Sequence, residues 1–169
     1  MRSTRSTRPA RKTLTIQEPA APPYLQAAAH GAFVVDASVS AAWLLPDEAN
    51  ALTTAVLHAT ARAEVWVPAL WLLEMANLLQ NAQRRRRIGA AKRAELAQAA
   101  AGLRLQVCRE PVALTTLDRL AAEHALTAYD ACYLECALRR GLPLATQDGA
   151  LLVAMARCGV LQPALPVTR

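Results

Sequence analysis

The chain has 169 residues, 54% of them hydrophobic and 19% charged, with a formal net charge of +6, which suits one domain with a sizeable core and excludes a wholly disordered chain. The charge is unevenly placed: residues 1–32 carry Arg2, Arg5, Arg8, Arg11 and Lys12 against Glu18, so +4 of the +6 lies there and the remainder is nearly balanced. A globally basic nucleic-acid-binding domain is therefore not indicated, and the longest unbroken apolar run, Val65–Leu73, falls well short of the roughly 20 residues that cross a bilayer.

Residues 1–32 are rich in Arg, Ser, Thr, Pro and Ala and show no periodicity, so they read as a disordered basic extension ahead of one domain over 33–169. Their acid-poor character resembles a transit peptide, whereas the lack of an apolar stretch argues against a secretory signal. Cys108, Cys132, Cys136 and Cys158 form no CxxC pair and lie in apolar segments, which suggests small core residues in a reducing compartment. A cytoplasmic protein without membrane contact is expected.

From Phe33 onward, short apolar β runs alternate with helical stretches, the pattern of a parallel sheet covered by helices. The first strand is expected at Phe33–Asp36, followed by a helix from Ser38 to Leu45 that Pro46 ends and a second helix from Asp47 to Arg62. Glu64–Val67 reads as the next strand. Pro68 suits the first turn of a helix whose apolar face carries Leu72, Met75 and Leu79 and which runs to the Arg84–Arg87 cluster before Gly89. A helix over Ala90–Ala101 closes at Gly102, Leu103–Cys108 is a third strand, and Pro111–His124 is helical. Thr127 can cap the next helix, which stops where Arg139, Arg140 and Gly141 precede Pro143. Leu144–Thr146 is the fourth strand, Asp148–Cys158 a last helix stopped by Gly159, and Val160–Leu161 a short edge strand. The fold class expected is α/β, a three-layer α/β/α sandwich with a mainly parallel sheet of four to five strands.

Four acids stand in apolar surroundings: Asp36, Glu74, Asp130 and Asp148. An ionised acid costs several kcal/mol to desolvate and is seldom buried without compensation. In a parallel sheet the strands end on one edge, where ligands bind. Asp36 and Asp148 follow strands, and Asp130 and Glu74 lie early in helices that start from that edge, so all four converge on one rim. Taken singly, Asp36, Asp130 and Asp148 have bland readings as turn or capping residues. Glu74 is different, because it sits inside a helix between apolar residues, with Asn77 on the same face. The set points to a shared hard cation, Mg²⁺ or Mn²⁺, and the chemistry such a site most naturally serves is phosphodiester hydrolysis. No Gly-x-Ser-x-Gly, Cys/His pair or phosphate-cradling glycine loop offers a different chemistry.

At these residues the sequence resembles the PIN-domain ribonucleases, in particular VapC-type toxins of toxin–antitoxin pairs. The matching pieces, in order, are Val34–Val39, the helix with Glu74 and Asn77, Leu126–Leu134, and Leu142–Asp148. The resemblance implies an α/β/α sandwich, a Mg²⁺- or Mn²⁺-dependent endoribonuclease, a homodimer, and inhibition by a small antitoxin that masks the acidic pocket. It assigns metal binding and catalysis to Asp36, Glu74, Asp130 and Asp148, with Ser38, Asn77 and Thr146 in support. Residues 1–32 depart from the family pattern, in which the first strand opens the domain. Arg84, Arg85, Arg86 and Arg87 are weak candidates for RNA phosphate contacts, since a basic helix end is more often a solvated terminus. With aromatics at 4%, stacking along a single strand is not suggested, and a structured RNA such as tRNA or rRNA, recognised by shape and backbone, is the expected substrate. The rival readings are a non-catalytic module of the same fold that binds a protein or RNA, and a phosphoacceptor receiver, for which Lys12 and Lys92 are wrongly placed.

Overall fold

A computed structural model of the protein describes residues 31–165; the basic extension expected over 1–32 lies almost wholly outside the described residues. Strands β1 (Phe33–Val35), β2 (Val65–Pro68), β3 (Leu105–Cys108) and β4 (Leu144–Ala145) form one sheet in the order β3-β2-β1-β4. Every pairing is parallel, as expected for strands joined through helices. Between the strands run α1 (Ala37–Leu44), a 3₁₀ turn (Pro46–Glu48), α2 (Ala51–Ala59), α3 (Leu70–Arg84), α4 (Ala90–Ala101), α5 (Leu114–His124) and α6 (Ala128–Arg140), and α7 (Gly149–Cys158) follows β4.

The chain moves outward from β1 through β2 to β3 and then returns to the other side of β1. Right-handed crossovers therefore place α1–α4 on one face and α5–α6 on the other. The packing agrees: α1, α2, α3 and α4 contact one another, while α6 lies across β1, β2 and β4 and packs on α5 and α7. Both faces of the central strands are covered, so Phe33, Val34 and Val35 are all buried and the strand reads as a continuous apolar run. The reversal of strand order falls between β1 and β4, and this positions the site.

Several boundaries differ from the sequence-based expectation for identifiable reasons. The second helix does not start at Asp47, because Asn50 forms a capping box with Thr53, its side chain accepting from the Thr53 amide while the Thr53 hydroxyl accepts from the Asn50 amide. Pro68 is the last residue of β2, paired with Cys108, rather than a first-turn residue; at a strand end its missing donor leaves little of the ladder unmade. Helix α3 stops at Arg84, and Arg86 takes a positive φ of 59° in the turn that follows. Pro111 precedes α5 rather than opening it. Val160–Leu161 is not a strand, although the Leu144 amide donates to the Leu161 carbonyl at 2.9 Å. The stops at Gly141 and Gly159 lie where expected, both in the left-handed region at φ 63° and 70°.

Cys108 and Cys136 are buried with their sulfurs 3.2 Å apart, and all four cysteines are free thiols. Among the described residues no helix is long and apolar enough to cross a membrane. Asn50→Ala removes the cap of α2 and is expected to cost about 1 kcal/mol, a fall of roughly 2–4 °C in Tm for a domain of this size, measured by circular-dichroism melting.

Candidate functional site

Asp36 is the first residue beyond β1, and its amide continues the ladder by donating to the Ala145 carbonyl at 2.9 Å. The side chain is only 5% exposed. Its Oδ2 accepts from the Ser38 hydroxyl at 2.6 Å and from the Thr146 hydroxyl at 2.8 Å. The two donors come from opposite sides of the strand-order reversal, Ser38 from the first turn of α1 and Thr146 from the residue after β4. A second chain of bonds fixes the backbone beneath: Trp71 Nε1 donates to Ser40 Oγ at 2.7 Å, and Ser40 Oγ donates to the Asp36 carbonyl at 3.1 Å. Burial raises the Asp36 carboxyl above its ordinary range; the hydroxyl donors oppose that shift, and the Asp130 charge adds to it.

Glu74 projects from the first half of α3 and is half-buried. The Tyr133 hydroxyl, from α6, donates to its Oε2. Burial raises the Glu74 carboxyl; the Tyr133 bond counters this, and the charges of Asp36 and Asp130 raise it further. Burial, reinforced by Glu74, drives the Tyr133 phenol upward, so it remains a protonated donor. Asp130 is held at the start of α6 by Thr127, whose hydroxyl donates to Asp130 Oδ2 at 2.6 Å and accepts from the Asp130 amide at 3.1 Å. The charge of Asp130 raises both Asp36 and Glu74, and that of Asp36 raises Glu74, as expected of acids on one carboxyl edge of the sheet.

Asp148 is engaged differently. Its Oδ1 accepts from the Leu151 amide at 2.8 Å, capping α7, and its own amide donates to Thr146 Oγ1 at 3.0 Å. Thr146 thus serves Asp36 and Asp148 together. Asn77 lies one turn beyond Glu74 and lines with it, Ser38, Leu73, Tyr129 and Gln147 an open cavity of about 700 Å³. A second, more apolar hollow of about 640 Å³ around Phe33, Leu57 and Pro143 is lined by none of these carboxylates.

Arg84, Arg85, Arg86 and Arg87 are all exposed. Arg87 is committed to the fold, its guanidinium bridging Asp47 at 2.6 Å and Glu48 at 2.8 Å. This pin also holds Glu48 at the cavity wall. Sequence reasoning did not single out Tyr133, Thr127 or Glu48 for the site, and no local signal marks the first of these, because its partner is 59 residues away.

Among the described residues no three His, Cys, Asp or Glu side chains form a group that could by itself hold a metal ion. Each of Asp36, Glu74 and Asp130 nevertheless keeps one carboxylate oxygen outside the side-chain hydrogen bonds just described, and none of the three has a salt bridge to a described Arg, Lys or His. Carboxylate oxygens of like charge with no cationic side-chain partner among the described residues are donors suited to a hard divalent ion whose remaining ligands are water.

A carboxyl that burial raises binds its proton more tightly in the folded than in the unfolded chain. Folding is then favoured at low pH, and the advantage is lost as pH rises from the ordinary value of 3.8 through the raised one. Asp36→Asn is therefore expected to stabilise the protein at pH 7.5 in EDTA by about 0.5–2 kcal/mol, the range common to stabilising substitutions, which at a functional position come at the expense of activity. The gain should shrink toward pH 4; a destabilised variant at pH 7.5 in denaturant titrations would contradict it.

A comparison with curated proteins finds no significant match. A family model described as PIN domain matches residues 33–156, well over half of the chain and spanning Asp36, Glu74, Asp130 and Asp148. PIN domains are usually nucleases and generally use divalent metal ions. The chain belongs to the PIN domain family.

Proposed function

We propose that this protein is a Mg²⁺- or Mn²⁺-dependent endoribonuclease and the toxin of a VapC-type toxin–antitoxin pair. The observation that carries the reading is Asp36, a buried carboxylate held by two hydroxyls and by no cation. A divalent ion beside it would activate a water, stabilise the leaving oxygen and clamp the phosphate. Asp36 and Asp130 are the leading ligands in this reading, Glu74 completes the set, and Asp148 acts directly or through water.

The remaining residues orient those four. Ser38 and Thr146 leave Asp36 Oδ1 as the oxygen free of their hydroxyls, Tyr133 does the same for Glu74 Oε1, and Thr127 for Asp130 Oδ1. Outer partners of this kind typically change metal affinity or activity by about 10–100-fold when removed. Asn77 places an amide on the cavity wall one turn from Glu74, suited to holding a water or a phosphate oxygen. Arg84, Arg85 and Arg86 are available for phosphates, with Arg87 held by Asp47 and Glu48. Partners in the same reading are RNA, a small antitoxin that covers the acidic cavity, and a second copy of the chain, all in the cytoplasm.

Purified protein is expected to cut total cellular RNA at discrete positions with Mg²⁺ or Mn²⁺, and not in EDTA, while Asp36→Asn abolishes cutting with the fold intact, as end-mapping and circular dichroism would record. Cuts that persist in folded Asp36→Asn would sink the reading, and no cuts from folded, antitoxin-free wild type would favour a non-catalytic binding module. Tyr133→Phe should lower the cleavage rate by about 10–100-fold and weaken Mn²⁺ binding in calorimetry, while keeping the far-UV spectrum of wild type.

A further inference from the structure

Six aromatic side chains fall within the described residues, and five have a structural occupation. Phe33 is buried in the core. Trp43 Nε1 donates to the Thr53 carbonyl at 2.8 Å, Trp71 Nε1 donates to Ser40, and Tyr133 donates to Glu74. Arg140 lies 3.3 Å from the centre of the Trp66 ring. Tyr129 is the exception, 61% exposed in the first turn of α6.

Its position is as telling as its exposure. Tyr129 immediately precedes Asp130 and lines the same cavity as Ser38 and Glu74. Consecutive positions on a helix diverge by about 100°, so the ring forms a wall beside the carboxylates rather than crowding them. Along the facing helix, Glu74, Asn77, Asn81 and Arg85 recur at helical spacing. Glu74, Asn77 and Asn81 line the cavity with Tyr129, and Asn81 and Arg85 line the hollow that adjoins it. Over about 16 Å of α3, the wall passes from acid through two amides to a cation. The amides carry both donors and acceptors, as base edges require, and Arg85 forms no salt bridge among the described residues.

We propose that Tyr129 is a stacking platform for an unpaired nucleobase next to the scissile phosphate. The strand continues past Asn77 and Asn81 toward Arg85. This rests on the nuclease reading and adds to it a residue that engages the base. A fully paired A-form stem keeps its bases stacked inside and cannot offer one to the ring, whereas an aromatic face accepts any unstacked base.

The test uses the full chain carrying Asp36→Asn, which binds without cutting, with Mg²⁺ present. Fluorescence anisotropy is read for a labelled oligoadenylate and for a fully paired RNA duplex. Adding Tyr129→Ala should weaken oligoadenylate binding about tenfold and leave duplex binding unchanged, whereas Tyr129→Phe should stay within about twofold of the parent. Arg85→Ala should weaken both RNAs and flatten the salt dependence. Equal losses on both RNAs with Tyr129→Ala, no loss on either, or no binding of oligoadenylate by the parent overturns the platform. The two readings fail separately. Wild type that cuts RNA while Tyr129→Ala cuts the same positions with unchanged KM removes the platform and keeps the nuclease. Tyr129-dependent binding by a wild type that never cuts removes the nuclease and keeps the platform.

Discussion

Burying a carboxylate without a counter-charge is the constraint around which this fold is arranged. Glu135 shows the ordinary alternative within the same chain: it is 7% exposed, but Arg139 one turn later meets it at 2.7 Å, so its charge is neutralised locally and nothing further is asked of it. Asp36 has no cation among the described residues and is held by two hydroxyls, each arriving by a different route. Ser38 requires α1 to begin directly after β1, and Thr146 requires β4 to lie beside β1 in register, as the pairing of Val35 with Ala145 provides. Gln162 supports that second arm from beyond α7 by donating to the Thr146 carbonyl at 2.8 Å. Strand order, helix start and the chain after α7 all bear on one oxygen atom.

The same constraint explains why the two helix layers meet at this edge. Helix α3 belongs to one layer and α6 to the other, and the Tyr133–Glu74 bond joins them at the end of the sheet. Tyr133 is 1% exposed, so its ring contributes to the core while its hydroxyl reaches the rim. A half-buried glutamate that repels Asp36 and Asp130 would otherwise turn toward water; a buried phenol that cannot ionise gives it a fixed direction. Thr127 does the equivalent for Asp130 by the ordinary means of a helix cap. Capping and site-building are here the same contacts, so the bland reading of Asp130 as a start signal and the functional one are compatible.

Much of this was legible in the sequence because it is local. Alternation of apolar strands and amphipathic helices marks a parallel sheet, and glycine or proline at helix ends marks most boundaries. The four acids stand out by the apolar residues around them. What stayed hidden depends on contacts between distant segments. Thr146 meets Asp36 across 110 positions and Tyr133 meets Glu74 across 59, and no periodicity records either. Glu135 was overlooked although its partner is four residues away, since a Glu–Arg pair at that spacing resembles any solvent-exposed helix pair. The second helix was drawn too long because Asn50 reads as one more helical residue until its bond with Thr53 is seen. The low aromatic content left Tyr129 unremarked, and nothing local in the sequence shows that it faces outward one residue before an acid.

Charge makes ion binding and substrate binding one problem. The chain is basic overall, yet the cavity wall carries Glu74 and Glu48, with Asp36 and Asp130 near Glu74, and would repel a phosphodiester. The nearby cations do not reverse this: Arg87 is spent on Asp47 and Glu48, and Arg85 lies about 16 Å along α3 from Glu74. A hydrated divalent ion would relieve the repulsion among the carboxylates, remove the destabilisation that burial imposes on Asp36, and present positive charge where a phosphate must sit. Because no three of the described His, Cys, Asp or Glu side chains form a group that could hold such an ion alone, substrate oxygens and water would complete its shell. Affinity for the ion would then rise with RNA bound, and by linkage affinity for RNA would rise with the ion, so a partner that covers the cavity would oppose both at once.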